Sequence, residues 1–444
     1  MEAIDSTIIN TAIPAISHSL VVEPVDLKIA LISYLLSLAI FIPISGWLSD
    51  KFGSKQVFIF ACGLFTLSSL ACGFSTHLNT LVVARFIQGL GGALTLPVGR
   101  LIILRTYGRK HLIATMNRVV TIGALGIMLG PLIGGLITDY FSWHWIFWIN
   151  VPVGMLTIIL AYIGLERSEG QLVPALDKRG FILFGTAVSG LIFGFSALSE
   201  TAINLNLGVI VIITALIILL IYIKHSRQQS NPIVNTKLLN YKTFQIAVWG
   251  NLLSRLGYGG LPFLLPLLFQ IGLSQSATLS GLLLAPTALG VLTAKKLSLP
   301  LLRILGYKCL LIVNTISSAF SIAMFAKVGG ETSFFIVVIM TFIYGFIVSL
   351  QYSSLNSLAY AEIEPEQLSA ATSIMSTTQQ LAQSLGVASS ALFIRFYSPD
   401  YGNSFMIAPA IFHLTFISLA LLTLASSLLY LRLSQNDGQE MLTG

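Results

Sequence analysis

Long apolar runs separated by short polar connections dominate this chain. Fourteen segments have roughly the ~20 residues that carry a helix across a bilayer. They lie at 3–17, 29–48, 56–74, 78–104, 112–138, 145–165, 180–198, 205–223, 243–270, 276–294, 309–326, 333–358, 368–394 and 407–431. Several exceed that length and leave room for tilt. The runs lack the apolar–polar alternation of a membrane barrel, so the spans read as helices. The longest polar stretches are 166–180 and 224–242, too short for an inserted soluble domain. The pattern predicts an all-α polytopic membrane protein.

Composition agrees and adds orientation. Of 444 residues, 55% are hydrophobic and 9% charged, where soluble domains average about 25% charged. With the Met1 end cytoplasmic, seventeen of the 24 Lys and Arg residues fall in loops on that side, and only Lys28, Lys327 and Arg395 fall in loops on the other. Such a bias orients membrane proteins and places both termini in the cytoplasm. The net charge of +7 is therefore a topology signal, and no nucleic-acid partner is expected. Cys62, Cys72 and Cys309 form no CxxC or Cys/His cluster, so neither a disulfide framework nor a metal site is read. No Walker A sequence and no nucleophile–His–acid set occur. An integral enzyme is not expected, nor is direct use of ATP. No basic stretch of a cleavable signal precedes the first segment.

Gly126, Gly130 and Gly134 recur every four residues and share one helix face, extended by Gly123 and followed by Gly135. Such a strip lets another backbone approach closely in a membrane. Pro131 removes a backbone donor and invites a bend. Two readings stand, passive packing or a contact that moves. After the second segment, Gly46, Asp50, Lys51, Gly53 and Lys55 form a tight loop with mixed charge, read either as a helix-end contact or as a solvated basic turn. Arg85 lies inside the fourth segment, with Gln88, Gly89 and Gly92 on its face. An arginine there costs at least ~2.5 kcal/mol if unpaired and suggests function; the alternative is a structural arginine bonded to carbonyls. Asp5 lies four residues from Met1, in a first segment that is short and interrupted. The expectation is that about ten residues of this span are missing. Asp5 then reads either as a cap on a short helix or as a buried acid.

In the second half, polar residues share faces within apolar spans: Asn251, Arg255 and Tyr258; Ser349, Tyr352 and Asn356; Ser376, Gln379, Gln380 and Gln383. These suit either a mixed-polarity cavity or hydrogen bonding between helices. Trp143 and Trp145 read as an interfacial belt.

Taken together and in this order, the motifs resemble the major facilitator superfamily. The loop around Asp50 is similar to its cytoplasmic loop signature, and Arg85–Gln88–Gly89–Gly91 to its fourth-span element. Gly126 through Gly135 resembles the antiporter motif that marks exporters. Asp5, Thr7, Ile8, Asn10 and Pro14 resemble the first-span signature of the fourteen-span drug:proton antiporters of the EmrB/QacA type. The segment from Trp143 to Gly154, Leu261–Pro262–Phe263 and the stretch from Ser376 to Gln380 resemble the MdtD-like branch. Ser54 departs from the loop signature, which has arginine there.

The resemblance implies a six-helix bundle over 1–166, a linker carrying an inserted helix pair over 167–242, and a second six-helix bundle with a short tail over 243–444. It implies a proton-coupled exporter of amphipathic organic compounds in the bacterial inner membrane, working by alternating access. Asp5 and Arg85 would couple the proton, and Asn10, Gln88 and the polar faces of the second half would line the cavity. No cofactor other than the proton is implied, and a monomer is expected. A periplasmic adaptor partner is left open. The competing readings are an exporter of one metabolite or siderophore, and a non-transporting scaffold or inactive truncated product.

Overall fold

The computed structural model describes residues 1–166, 169–199, 205–398 and 407–442, with the side chains of 104–121, 124, 205, 365 and 442 left aside. Helices account for all fourteen apolar segments. α1 (Glu2–Leu20), α2 (Lys28–Phe41), α3 (Ser45–Phe52), α4 (Ser54–Gly73), α5 (Leu78–Tyr140), α6 (Trp145–Trp148) and α7 (Asn150–Gly164) build the first bundle. α8 (Lys178–Ala197) and α9 (Leu205–Gln228) pack on each other. α10 (Lys242–Tyr258), α11 (Leu261–Leu267), α12 (Ala277–Leu284), α13 (Pro286–Phe325), α14 (Phe334–Ala359), α15 (Leu368–Tyr397) and α16 (Pro409–Tyr430) build the second bundle. No strand occurs among the described residues.

Ten stretches among the described residues are long and apolar enough to cross a membrane, and one of them, Ala277–Phe325, holds two expected spans. The helices missing from that set are α1, α15 and the second limb of α5. α1 carries Glu2 and Asp5, and α15 is rich in serine, threonine and glutamine. All three pack against other helices, which provide partners for polar groups that lipid cannot satisfy.

Two expected spans, 78–104 and 112–138, belong to one continuous helical run, α5. That run cannot be straight. Gly92 and Gly126 would lie about 51 Å apart along an ideal helix, yet Gly92 faces Glu2 and Gly126 faces Ala3, both in the first turn of α1. The chain therefore doubles back between them, and its two limbs flank α1 in opposite directions. The basic residues Arg105, Arg109, Lys110 and Arg118 fall where side chains lie outside the description. In α13 the break between spans is at Gly306, whose φ of 69° suits glycine alone.

The first span is longer than expected from its pattern, with 19 helical residues including Pro14. Trp143 departs from the belt expectation: it is buried and stacks on His144 at 3.8 Å. Trp145 is exposed, as an interfacial residue would be.

The bundles meet along two seams. α2 runs beside α15, and the second limb of α5 runs beside α12; α8 packs on both α2 and α15. Close backbone approach explains the second seam. A side chain at Gly135 would strike the Ala277 carbonyl, and one at Gly281 would strike the Pro131 carbonyl.

Candidate functional site

The first bundle encloses a charged network. Asp5 sits in the first turn of α1, and Arg85 and Gln88 lie one turn apart on α5. Arg85 Nη1 donates to Asp5 Oδ2 and to Gln88 Oε1, both at 2.6 Å. Asp5 Oδ1 accepts from Gln88 Nε2 at 2.9 Å and from Asn150 Nδ2 at 2.8 Å. Gln88 Nε2 also donates to Ser69 Oγ at 2.7 Å. The Arg85 guanidinium lies 4.3 Å from the Tyr34 ring centre, an additional cation–π contact. Asp5 is 0% exposed and Arg85 1%. Two charges this deep persist because each cancels the other and amides serve the remaining lone pairs; removing one partner of such a pair costs about 3–5 kcal/mol.

This geometry decides between the readings of Asp5. Its carboxylate turns to side chains of α5 and α7, and α1 has no side-chain N-cap bond. Asn150 and Ser69 belong to this network although their positions gave no reason to single them out. Their signal was weak: single polar residues in apolar spans. Asn10 is buried on the same helix but joins none of these bonds.

The glycine strip packs on α1. Gly126 meets Ala3 at 3.0 Å from where a Cβ would stand, Gly130 meets the Thr7 hydroxyl, and Gly134 meets the Ile8 carbonyl and the Thr11 hydroxyl. Pro131 explains one of these contacts. Lacking an N–H, it leaves the Ile127 carbonyl without its helical donor, and Thr7 Oγ1 lies 3.4 Å from that carbonyl. Gly130 makes room for this hydroxyl, whose single proton is shared between the carbonyl Pro131 sets free and the Ala3 and Ile4 carbonyls of α1, each 3.3 Å away. Gly135 faces the other way, onto α12.

Three polar contacts join the bundles, two at the end of the molecule where α1 finishes and one halfway along α1. Arg395 Nη1 donates to Glu23 Oε2 at 2.9 Å. Asp139, at the end of α5, accepts from the Ala277 and Thr278 N–H groups at 3.2 and 2.7 Å, so it caps α12 across the seam. Gln270 Nε2 donates to the Thr11 carbonyl at 2.9 Å.

In the second bundle the three expected polar faces converge. Arg255 Nε donates to Asn251 Oδ1 at 2.7 Å, and Nη1 donates to Gln383 Oε1 at 2.9 Å. Tyr352 Oη donates to Gln379 Oε1 at 3.2 Å, and Gln379 Nε2 donates to Asn356 Oδ1 at 2.9 Å. Tyr258 and Tyr352 flank the guanidinium, with ring centres at 5.9 and 5.3 Å. Gln380 joins no hydrogen bond among the described residues. A separate buried knot of Asn314, Gln351, Thr315 and Tyr430 ties α13, α14 and α16 together; it fills no part of the expected cavity.

The loop after α3 turns at Gly53, whose φ of 88° admits glycine without strain. Ser54 Oγ lies 2.8 Å from Ser49 Oγ, so a hydroxyl pair stands where the family signature has a charge. Lys55 Nζ donates to the Tyr162 and Leu165 carbonyls at the end of α7, while Lys51 lies over Trp47 at 4.6 Å. Gln171 N–H donates to the Asp50 carbonyl at 2.7 Å, which lays the following linker along this loop. Gly46 has open space around it.

A buried acid–base pair beside a seam between two membrane bundles is the arrangement of a transporter, because intramembrane charge marks functional pathways. The chain belongs to the Major Facilitator Superfamily, which it matches over residues 1–387. It is 33% identical over 441 residues to the probable transport protein HsrA of Haemophilus influenzae, with 99% of this chain and 95% of that protein covered. It is 32% identical over 445 residues to the putative multidrug resistance protein MdtD of an Enterobacter species, covering 100% and 94%. Among solved structures it shares its fold with a D-xylose-proton symporter at 15% identity, TM-score 0.67, covering 98% and 95% of the two chains. An auto-inhibited POT family peptide transporter matches at 17% identity, TM-score 0.68, covering 98% and 96%. The chain is a multi-pass membrane transport protein and not an enzyme.

Proposed function

We propose that this transporter exports amphipathic organic compounds in exchange for protons, by alternating access between its bundles. The carrying observation is the placement of Asp5. It is shut off from solvent and ion-paired with Arg85 on the helix that also receives the glycine face of α5. Protonating Asp5 would cancel the charge that holds Arg85 and loosen α1 against both limbs of α5. A proton-dependent change at one residue would thereby reach the seam between bundles through Gly135 and α12. The names of the relatives, a multidrug resistance protein among them, support an organic substrate.

The basic-loop bias supports an orientation with both termini in the cytoplasm of a bacterial inner membrane. The Glu23–Arg395 and Asp139–α12 contacts then close the outer face. An inward proton would supply ~2.3 kcal/mol per 100 mV and about 1.4 kcal/mol per pH unit.

The test is reconstitution of the purified chain with a pH indicator inside the vesicles. Adding amphipathic acids, bases and neutral compounds in turn should produce substrate-dependent proton movement that Asp5→Asn abolishes. Substrate flux indifferent to an imposed proton gradient would refute the exchange.

A further inference from the structure

The six apolar segments of the second bundle contain no Asp or Glu, and Arg255 is their only Lys or Arg. Its described partners are neutral. Asn251 and Gln383 accept from it, Tyr258 and Tyr352 flank it, and no carboxylate pairs with it among the described residues. Its Nη2 makes no hydrogen bond to a described residue. A further donor beside it, Asn251 Nδ2, is buried without a partner, and Tyr258 Oη is buried against the guanidinium. Arg255 itself is half-buried, and Tyr352 beside it is 38% exposed, so the cluster is reachable.

Among the described residues no acid of the first bundle pairs with Arg255: Glu2, on α1, faces Gly92 of its own bundle. Asp5 is cancelled by Arg85 at 2.6 Å, and its other oxygen is occupied by Gln88 and Asn150. A half-buried cation with neutral neighbours and spare donors is an incomplete arrangement, since intramembrane arginines normally find a counter-charge. Gluing helices together needs no charge; glutamine would do it. A planar guanidinium with a free edge suits an oxyanion, to which its N–H groups donate strong charge-assisted bonds. The aromatic rings of Tyr258 and Tyr352 give an apolar body somewhere to lie.

We propose that Arg255, with Asn251, Tyr258, Tyr352 and Gln383, is the recognition site for an organic anion, a carboxylate on an apolar body, and that the cavity disfavours organic cations. This deepens the export reading and rests on it for the direction of transport, but the binding preference stands apart from proton coupling.

The test is equilibrium binding to the full-length purified chain in nanodiscs near neutral pH, with no gradient. The probes are 4-phenylbutyrate, 4-phenylbutanamide and 4-phenylbutylammonium, which share one body and differ in charge. The carboxylate should bind at least ~10-fold more tightly than the amide, in keeping with hydrogen bonds to a charged group, and the ammonium more weakly than the amide. Arg255→Gln should erase the preference. Gln383→Glu tests the same point while keeping side-chain shape, because it places a carboxylate where Arg255 Nη1 already donates. It should also abolish the preference for the acid. Wild-type protein that binds amide or ammonium as tightly as carboxylate overturns the assignment. So does a carboxylate preference that survives Gln383→Glu. Failure of proton coupling would instead appear as gradient-independent flux with the binding preference intact.

Discussion

Arg85 and Asp5 stand 80 residues apart in the chain and 2.6 Å apart in the fold, with a single nitrogen of the guanidinium bridging the carboxylate and the Gln88 amide. The pair fastens α1 to the first limb of α5, while the glycine strip fastens α1 to the second. α1 is thus the shared element between the charged network and the seam, and the predictions below separate these two attachments.

Asp5→Asn keeps the shape of the side chain but removes the charge. The variant should insert and fold, and proton-driven flux should fall at least ~10-fold. Asp5→Ala should be worse for a different reason: it strands Arg85 in the interior at a cost of about 3–5 kcal/mol, visible as lost yield or a lower melting temperature. Flux assays in inverted membrane vesicles, alongside detergent melting curves, distinguish the two. Wild-type flux in Asp5→Asn would remove the residue from the mechanism.

Arg85→Lys retains a positive charge without the planar fork. One ammonium cannot reproduce the contacts to Asp5, Gln88 and Tyr34 together, so a partial defect is expected. Arg85→Ala should be nearly inactive. Initial rates at saturating substrate test this, and normal rates for alanine would make the arginine idle.

The glycines should not tolerate alanine equally. At Gly130 the new methyl group meets the Thr7 hydroxyl, the end of a side chain that can rotate. At Gly134 it meets the Ile8 carbonyl, and at Gly135 the Ala277 carbonyl, neither of which can turn aside. Gly130→Ala should therefore be the mildest of the three. Gly130→Leu should insert normally yet lose transport, because α1 can no longer approach. Thr7→Ala combined with Gly130→Ala should recover activity relative to Gly130→Ala alone. Equal activity across the alanine series, with Gly130→Leu sampling both faces by cysteine accessibility, would reduce the strip to passive packing.

The Glu23–Arg395 ion pair and the Asp139 cap should hold one end of the molecule shut. A partly exposed pair contributes about 0–1 kcal/mol and a carboxylate at a helix N-terminus about 0.3–1 kcal/mol. Glu23→Gln and Asp139→Asn should each shift the population of the open state by up to about fivefold. The exchange Glu23→Arg with Arg395→Glu should restore closure. Spin-label distances across this end, between α2 and α15, report the populations; unchanged distances in both single variants would rule out a latch.

Much of this was legible in the chain itself. Apolar length determined the fourteen helical segments, because in a bilayer only a helix satisfies every backbone group within its own segment. Four-residue spacing determined that Gly126, Gly130 and Gly134 share a face, and that Asn251 shares one with Arg255. Both hold in the fold. That Arg255 is the lone arginine in the acid-free apolar segments of the second bundle was also there to be read.

Partners were decided only by the tertiary structure. Periodicity says which residues share a face but not what that face meets, because lipid is as apolar as leucine and gives no signal for the lipid-facing side. Hence Asn150 joined Asp5 across 145 residues, Trp143 went inward instead of to the belt, and the two expected spans of α5 came to flank α1. The meaning of Pro131 came last. Its missing donor is a property of the sequence, but that Thr7 lies within reach of the Ile127 carbonyl it leaves behind depends on two helices meeting at Gly130.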